Sequence, residues 1–179
     1  MMNNELMEKM DRDGVVVITS NLDSESTNHI ILSLLNYGNT PEKEIQLFIS
    51  SSIMDYTNVL AIYDVLKSLK NPISTFAIGL VGGTAVLLLL AGNKGKRYIL
   101  ENSEVRLSEL YDVVGTGSNQ QTEIEILSKD VLQKEEIFES IVTNHSSLNK
   151  EDVHKYCVEQ AVFDSSKAKE VGFVDEILR

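Results

Sequence analysis

An apolar run from Phe76 to Ala91 constrains the fold of this chain more than any other feature, and it contains Gly79, Gly82 and Gly83. A helix that crosses a membrane needs about 20 consecutive apolar residues. This run is shorter and is interrupted by glycine, so it predicts a buried strand, a glycine turn and a buried core helix. We therefore expect a globular protein without a membrane partner.

Strand and helix patterns alternate on both sides of this run. The β-branched residues Val15 to Thr19 predict a strand, and Asp23 or Ser24 can cap a helix that ends near Asn36. The apolar positions of that helix share one face, at Ile30, Ile31, Leu34 and Leu35. Further strands are predicted at residues 45–49, 73–78, 97–100, 105–107 and 174–177, and further helices at residues 57–70, 84–90, 122–143, 150–158 and 164–171. This alternation favours a right-handed parallel α/β sheet, and 179 residues are too few for two ordinary domains.

The charge balance restricts the partners of the chain. Sixteen Lys and Arg residues against 27 Asp and Glu residues give a net charge of −11, which repels nucleic acids and anionic lipids. The one cysteine, Cys157, excludes an internal disulfide, and residues 1–13 resemble no targeting segment. We expect a cytoplasmic protein that binds no nucleic acid.

The residues alone offer little chemistry. The histidines His29, His145 and His154 form no metal-ligand spacing, and the glycines of the apolar run fit neither a dinucleotide-binding nor a phosphate-loop pattern. We expect no metal and no cofactor. Thr84 is the hydroxyl of the glycine turn, but no base lies near it in sequence. We expect Cys157 to be a small buried side chain, and His145 and His154 to be exposed.

Six segments carry a resemblance to a known family. They are AIYD at residues 61–64, AIG at 77–79, AGNKGKR at 91–97, NSEV at 102–105, QTEIEI at 121–126 and AKEVGFVDE at 168–176. In this order they resemble ClpP, the proteolytic subunit of the Clp protease, over about residues 14–178. The resemblance implies one ClpP-like domain over residues 1–179 with the crotonase-like α/β fold. Its head would consist of repeated β-β-α units, with a short N-terminal arm at about residues 1–14 and a handle region at about residues 114–144 that contains the protruding long helix.

The ClpP family is a family of serine peptidases, and this chain differs from it at the catalytic positions. The family turn GMAASMGS aligns with residues 79–86 and places Gly83 at the nucleophilic serine. The family segment EVMIHQP aligns with residues 104–110 and places Ser108 at the general base. The orienting aspartate of the family's RDxF segment falls on Gln160. The resemblance therefore implies that nucleophile, base and orienting carboxylate are all lost.

The oxyanion loop differs as well. The family's SPGGS loop, whose backbone N–H groups hold the oxyanion, aligns with residues 51–55, so Ser52 replaces the proline and Ile53 and Met54 replace the flexible glycines. Loss of a whole triad costs on the order of 10⁶ in rate, and the remaining rate depends on oxyanion donors and substrate binding. We expect an inactive ClpP homologue, a pseudoprotease, with no catalytic residue.

The resemblance also implies an assembly. ClpP proteins form seven-membered rings that stack through the handle, and the handle positions here are Gln121, Thr122, Ile124, Ile126 and Leu132. We expect a heptamer or tetradecamer of this chain, or mixed rings with an active ClpP paralogue as ClpR-type subunits form. Coupling to a Clp ATPase stays open, because the strand that resembles the family's docking segment keeps an aromatic residue at Phe48 but has Gln46 in place of the other.

Two other hypotheses remain. The chain could be a ligand- or acyl-binding module that uses the crotonase-like cavity, which a ligand retained by the purified protein would favour. It could also be a ClpP-type serine peptidase with an unorthodox nucleophile such as Ser108, which covalent labelling of that residue would favour.

Overall fold

The computed structural model describes residues 9–10, 12–19, 21–52, 54–110 and 121–179, with the side chains of residues 121–128 excepted. The strands are β1 Val15–Ile18, β2 Ile45–Ser51, β3 Ile73–Gly82, β4 Arg97–Leu100, β5 Glu104–Arg106, β6 Val162–Asp164 and β7 Glu176–Leu178. The helices are α1 Ser24–Tyr37, α2 Tyr56–Ser68, α3 Ala85–Leu90, α4 Gln121–His145, α5 Lys150–Val158 and α6 Ser165–Glu170. Most of the N-terminal arm and the start of the handle region lie outside the described residues.

The strands form one sheet in the order β1-β2-β3-β4-β7, and its pairings are parallel. The long strand β3 pairs with β2 and β4 along its first part and with β5 at its end, where Gly82 is opposite Arg106. Strand β6 then pairs with β5 in the antiparallel direction. The predicted α/β fold with a parallel sheet is confirmed, whereas β6 was not predicted.

The apolar run forms the centre of the core. Its first part is strand β3, with Ala77 and Val81 fully buried, and its second part is helix α3, in which every residue is fully buried. Strand β3 extends to Gly82, beyond the predicted end at Ile78, because its last residues pair with β5. The prediction of a strand, a glycine turn and a core helix is confirmed.

Short polar side chains set the starts of several helices. The carboxylates of Asp23, Asp55 and Asp164 accept hydrogen bonds from backbone N–H groups in the first turns of α1, α2 and α6. Such caps satisfy donors that the helix itself leaves unpaired. The apolar face of α1 is only partly covered: Leu34 is fully buried, while Leu35 on the same helix is 50% exposed.

The long helix α4 has 25 residues, which corresponds to about 37 Å. Its second half packs on α3 and α5 and buries Phe138 and Val142. Leu132 and Ile137 are 60% and 44% exposed on the same helix. No helix within the described residues is long and apolar enough to cross a membrane.

Candidate functional site

The turn that follows β3 brings the first candidate position into place. Gly83 has a φ of +53°, a left-handed conformation that glycine adopts without the steric cost of a side chain. Its N–H donates to the carbonyl oxygen of Arg106 on β5 at 3.0 Å, which fixes the turn against the neighbouring strand. Helix α3 begins directly after this turn at Ala85.

The residues aligned with the nucleophile, the base and the oxyanion loop meet at this turn. A Cβ atom built on Gly83 would lie 3.2 Å from Ser108 Oγ and 3.3 Å from the carbonyl oxygen of Ser52. A Cβ atom on Gly82 would lie 3.3 Å from the Cβ of Ser52. These three segments are distant in sequence and adjacent in space.

Gln160 belongs to the same end of the molecule. The N–H of Leu107 donates to the carbonyl oxygen of Ala161 at 3.1 Å, which continues the pairing of β5 with β6. Ser108 follows Leu107 and Gln160 precedes Ala161, so the two residues flank this hydrogen bond. Gln160 is exposed and has a φ of +50°. Its amide carries no charge that could stabilise an imidazolium.

Met54, in the loop after β2, contacts the turn between β3 and α3. The hydroxyl of Thr84 donates to the carbonyl oxygen of Met54 at 2.8 Å, and both residues are buried. Thr84 therefore ties the loop after β2 to the start of α3. Ile53, the middle residue of the aligned oxyanion loop, lies outside the described residues.

Arg106 adds a cation next to the aligned base position. Arg106 is the last residue of β5 and lies two residues before Ser108 in sequence. The family segment EVMIHQP has methionine at this position. The Cβ of Arg106 is 3.4 Å from a Cβ built on Gly82. Its Nε is buried and meets no hydrogen-bond acceptor within the described part of the chain. A guanidinium stays protonated at neutral pH and accepts no proton.

Two of the histidines have partners that belong to other parts of the structure. His145 Nδ1 lies 2.8 Å from the carbonyl oxygen of Ile141, and burial lowers the pKa of its imidazole. His154 Nδ1 lies 3.1 Å from Glu139 Oε1. The prediction that both histidines are exposed was wrong for His145, because α4 packs its last turn against α2, where the ring meets Tyr63 edge-on.

Cys157 is a buried residue of α5, as predicted. Burial, together with the nearby charge of Glu139, raises the pKa of its thiol to about 12. A thiol with this pKa stays protonated at neutral pH and is a poor nucleophile. No group of three or more His, Cys, Asp and Glu side chains within the described residues could hold a metal ion.

A ladder of aromatic rings across three strands escaped the sequence analysis. Phe48, Phe76 and Tyr98 occupy matching register positions on β2, β3 and β4. The ring centroids of Phe48 and Phe76 are 4.4 Å apart, and those of Phe76 and Tyr98 are 4.9 Å apart, in stacked geometry. The sequence displays each aromatic residue, but the register that aligns them is set by the sheet.

The predicted handle positions lie on α4. Gln121, Thr122, Ile124 and Ile126 belong to this helix, but their side chains are outside the described ones. Leu132 is described and largely exposed. The helix predicted at residues 122–143 is confirmed and extends to His145.

The fold and the site geometry define a mixed α/β protein whose candidate site lies at the end of the central strand β3. Comparison with known proteins identifies its family. The family model of the Clp protease matches residues 1–179. The chain is 29% identical over 172 residues to the ATP-dependent Clp protease proteolytic subunit 2 of Frankia casuarinae, covering 96% of this chain and 78% of the relative. It is 27% identical over 171 residues to proteolytic subunit 3 of the same organism, covering 95% and 79%. The chain belongs to the Clp protease (ClpP) family.

Proposed function

We propose that this chain is a non-catalytic ClpP-family subunit that forms or joins a Clp protease ring and has a structural or regulatory role there. The observation that carries the proposal is the contact at Gly83. The residue aligned with the nucleophile has no side chain, and the residue aligned with the base is Ser108, whose hydroxyl lies beside it. A serine hydroxyl attacks at neutral pH when a base within hydrogen-bond reach takes its proton.

The spatial arrangement supports the alignment on which this proposal rests. Gly83, Ser108 and Ser52 were aligned from three separate segments, and their atoms come within 3.2–3.3 Å of one Cβ position. Correct alignment of the three segments requires that these residues lie together. The guanidinium of Arg106 and the amide of Gln160 next to them provide no general base.

Covalent labelling tests the loss of catalysis. We expect fluorophosphonate and β-lactone probes to leave the purified chain unlabelled, and short fluorogenic peptides to remain intact. An active ClpP assayed in parallel serves as the positive control. Stoichiometric labelling that maps to Ser52 or Ser108 would contradict the proposal and support a serine peptidase with an unorthodox nucleophile.

The exposed apolar side chains of α4 support the assembly part of the proposal. Leu132 and Ile137 lie on a helix whose second half already packs on the core, so their exposed surfaces are available to another subunit. Exposed apolar patches on soluble proteins commonly mark contacts with partners. We expect sedimentation of the chain to give seven or fourteen subunits, or native mass spectrometry with an active paralogue to give mixed rings.

Substitution of the handle residues tests this assembly. Leu132→Asp combined with Ile137→Asp is expected to shrink the assembly, because the contact would have to bury two carboxylates. Val158→Asp combined with Val162→Asp is the matched control, since these residues are 52% and 47% exposed outside α4. A chain that sediments as a monomer at tens of micromolar and joins no paralogue ring would contradict the proposal.

A Clp ATPase is a further candidate partner of the ring. The aromatic ladder offers stacked, partly exposed rings to a docking segment, although Gln46 stands where the family segment has a second aromatic residue. Phe76→Ser removes the central ring and is expected to abolish binding to a Clp ATPase in the presence of ATP. Binding that is unchanged by this substitution would place the contact elsewhere.

A further inference from the structure

A second polar region lies at the opposite end of the sheet from Gly83. It is a hollow of about 660 Å³ between the turn before β4, the C-terminal end of α4 and helix α6. Asn93 in that turn is tied to the first residue of β3, because the N–H of Ile73 donates to Asn93 Oδ1 at 2.6 Å. Strand β3 has 10 residues, so the hollow and Gly83 are separated by about 30 Å.

A saturated charge network forms part of the lining of this hollow. Arg97 donates to Asp175 through Nε at 3.0 Å and through Nη2 at 2.7 Å, and its Nη1 donates to the carbonyl oxygen of His145 at 2.9 Å. Asp175 Oδ2 also accepts from the N–H of Gly95 at 2.8 Å. The carboxylate is therefore neutralised and hydrogen-bonded, and it does not oppose an anion that enters the hollow.

Three ammonium groups around the hollow are not used in this network. Lys67 comes from the last turn of α2, Lys94 from the turn before β4 and Lys169 from α6. None of them has a carboxylate within ion-pair distance among the described residues. This concentration of positive charge stands out on a chain with a net charge of −11.

The positive charges around the hollow affect the pKa of the His145 imidazole. Burial lowers its pKa, and the charges of Lys67 and Arg97 lower it further. An anion bound in the hollow would oppose the effect of these cations and raise the pKa of His145. The pKa of His145 can therefore be used to measure anion binding in the hollow.

We propose that this hollow binds a small anion with two or more linked phosphate groups. Its volume falls within the range of about 300–1,000 Å³ that is usual for small-molecule sites and exceeds what a single ion fills. Lysines bind phosphate as point charges, and here they approach from three separate elements. The planar fork of Arg97 is occupied by Asp175, which leaves no free guanidinium for a planar carboxylate.

Calorimetric titration of the full-length protein with sodium pyrophosphate at low ionic strength tests the proposal. We expect a dissociation constant below about 1 mM. The combined Lys67→Gln, Lys94→Gln and Lys169→Gln variant should bind at least about tenfold more weakly, because it removes the nearest cations. The matched control replaces Lys9, Lys70 and Lys155 by Gln, exposed lysines outside the hollow, and should lose less than about threefold.

Several outcomes would overturn the proposal: no binding of pyrophosphate, equal loss in the two triple variants, or an equal response to sodium chloride of the same ionic strength. ADP, titrated in parallel, separates the sources of the phosphates: tighter binding than pyrophosphate indicates a nucleotide, and equal binding indicates the phosphates alone.

Carbon-13 labelled histidine gives a second measurement, because the pKa of His145 should rise with pyrophosphate. A pKa that stays constant would contradict the proposal. Peptidase labelling and sedimentation do not measure anion binding, and pyrophosphate titration does not measure catalysis or assembly, so the two proposals fail separately.

Discussion

The two ends of strand β3 differ in how their polar side chains are satisfied. At the amino end, Arg97 and Asp175 form a bidentate ion pair that is also tied to Gly95 and His145. At the carboxyl end, Ser52 and Ser108 lie beside Gly83 without a side-chain hydrogen bond to another described residue. The first end is a structural network, and the second is a set of small polar residues around a glycine turn.

The amino end of β3 contains residues from two of the segments that carry the family resemblance. The segments AGNKGKR and AKEVGFVDE supply Arg97 and Asp175, whose pairing joins β4 to the turn before β7. Loss of either partner would leave a largely buried charge unpaired, which would destabilise the fold. At the carboxyl end, the turn is held by backbone hydrogen bonds such as the one from the N–H of Gly83 to the carbonyl oxygen of Arg106.

Breaking the ion pair at the amino end should have the largest effect. Asp175→Ala leaves the guanidinium of Arg97, whose side chain is 6% exposed, without its partner, and should lower the free energy of unfolding by about 3–5 kcal/mol. Lys96→Ala breaks the partly exposed pair with Glu44, leaves the hydrogen bond from Ser74 to Glu44 in place, and should cost at most about 1 kcal/mol. Urea unfolding at a fixed protein concentration measures both. Equal costs would remove the distinction between a structural network and a surface pair.

Filling the space at Gly92 should have the next largest effect. A Cβ atom there would lie 2.5 Å from Thr75 Oγ1 and 2.9 Å from the Cγ of Arg97. Thr75 is fully buried and its hydroxyl donates to the carbonyl oxygen of Leu89, so it cannot move freely. Gly92→Ala should lower the free energy of unfolding by about 1–3 kcal/mol. Unfolding by denaturant that gives an unchanged midpoint would show that the amino end is less tightly packed than the geometry indicates.

Restoring a hydroxyl at the carboxyl end should cost stability without restoring activity. Gly83→Ser places a side chain at a φ of +53°, which costs about 1–2 kcal/mol. The new hydroxyl would lie next to Ser108 and near Arg106, neither of which is a base, so we expect no peptide hydrolysis. Clear turnover by this single variant would show that the aligned base or oxyanion loop is wrong.

Titration of His145 should have the smallest effect. Its pKa is lowered in the folded state from 6.5, so the unfolded chain binds a proton first and the free energy of unfolding falls as the pH drops below 6.5. His145→Gln should flatten this part of the pH profile of the free energy of unfolding.

The pKa of Asp175 is also lowered: burial opposes its charge, but the hydrogen bonds and charge of Arg97 outweigh burial. The stabilisation that the charge of Asp175 contributes is present above pH 3.8 and is lost at lower pH. The contributions of Asp175 and His145 therefore change in different pH ranges.

Several elements could be predicted from the sequence because their signals are local. Asp23 and Asp164 predicted helix starts because a capping carboxylate acts within one turn, and the apolar run predicted β3 and α3 because its residues must be buried together. The sequence also determined the family through short segments in a fixed order. These signals need no knowledge of the partner strand.

Other features depend on residues that are distant in sequence, so they could be recognised only in the folded protein. Strand β6 is too short to carry a pattern of its own and exists because β5 provides its backbone partners. Leu35 is exposed and His145 is half-buried because neighbouring helices, and not the helical period, decide which face is covered. The contact of Ser52 and Ser108 at Gly83, like the three lysines around one hollow, arises because parallel strands bring loops from separate parts of the chain to the same edge of the sheet.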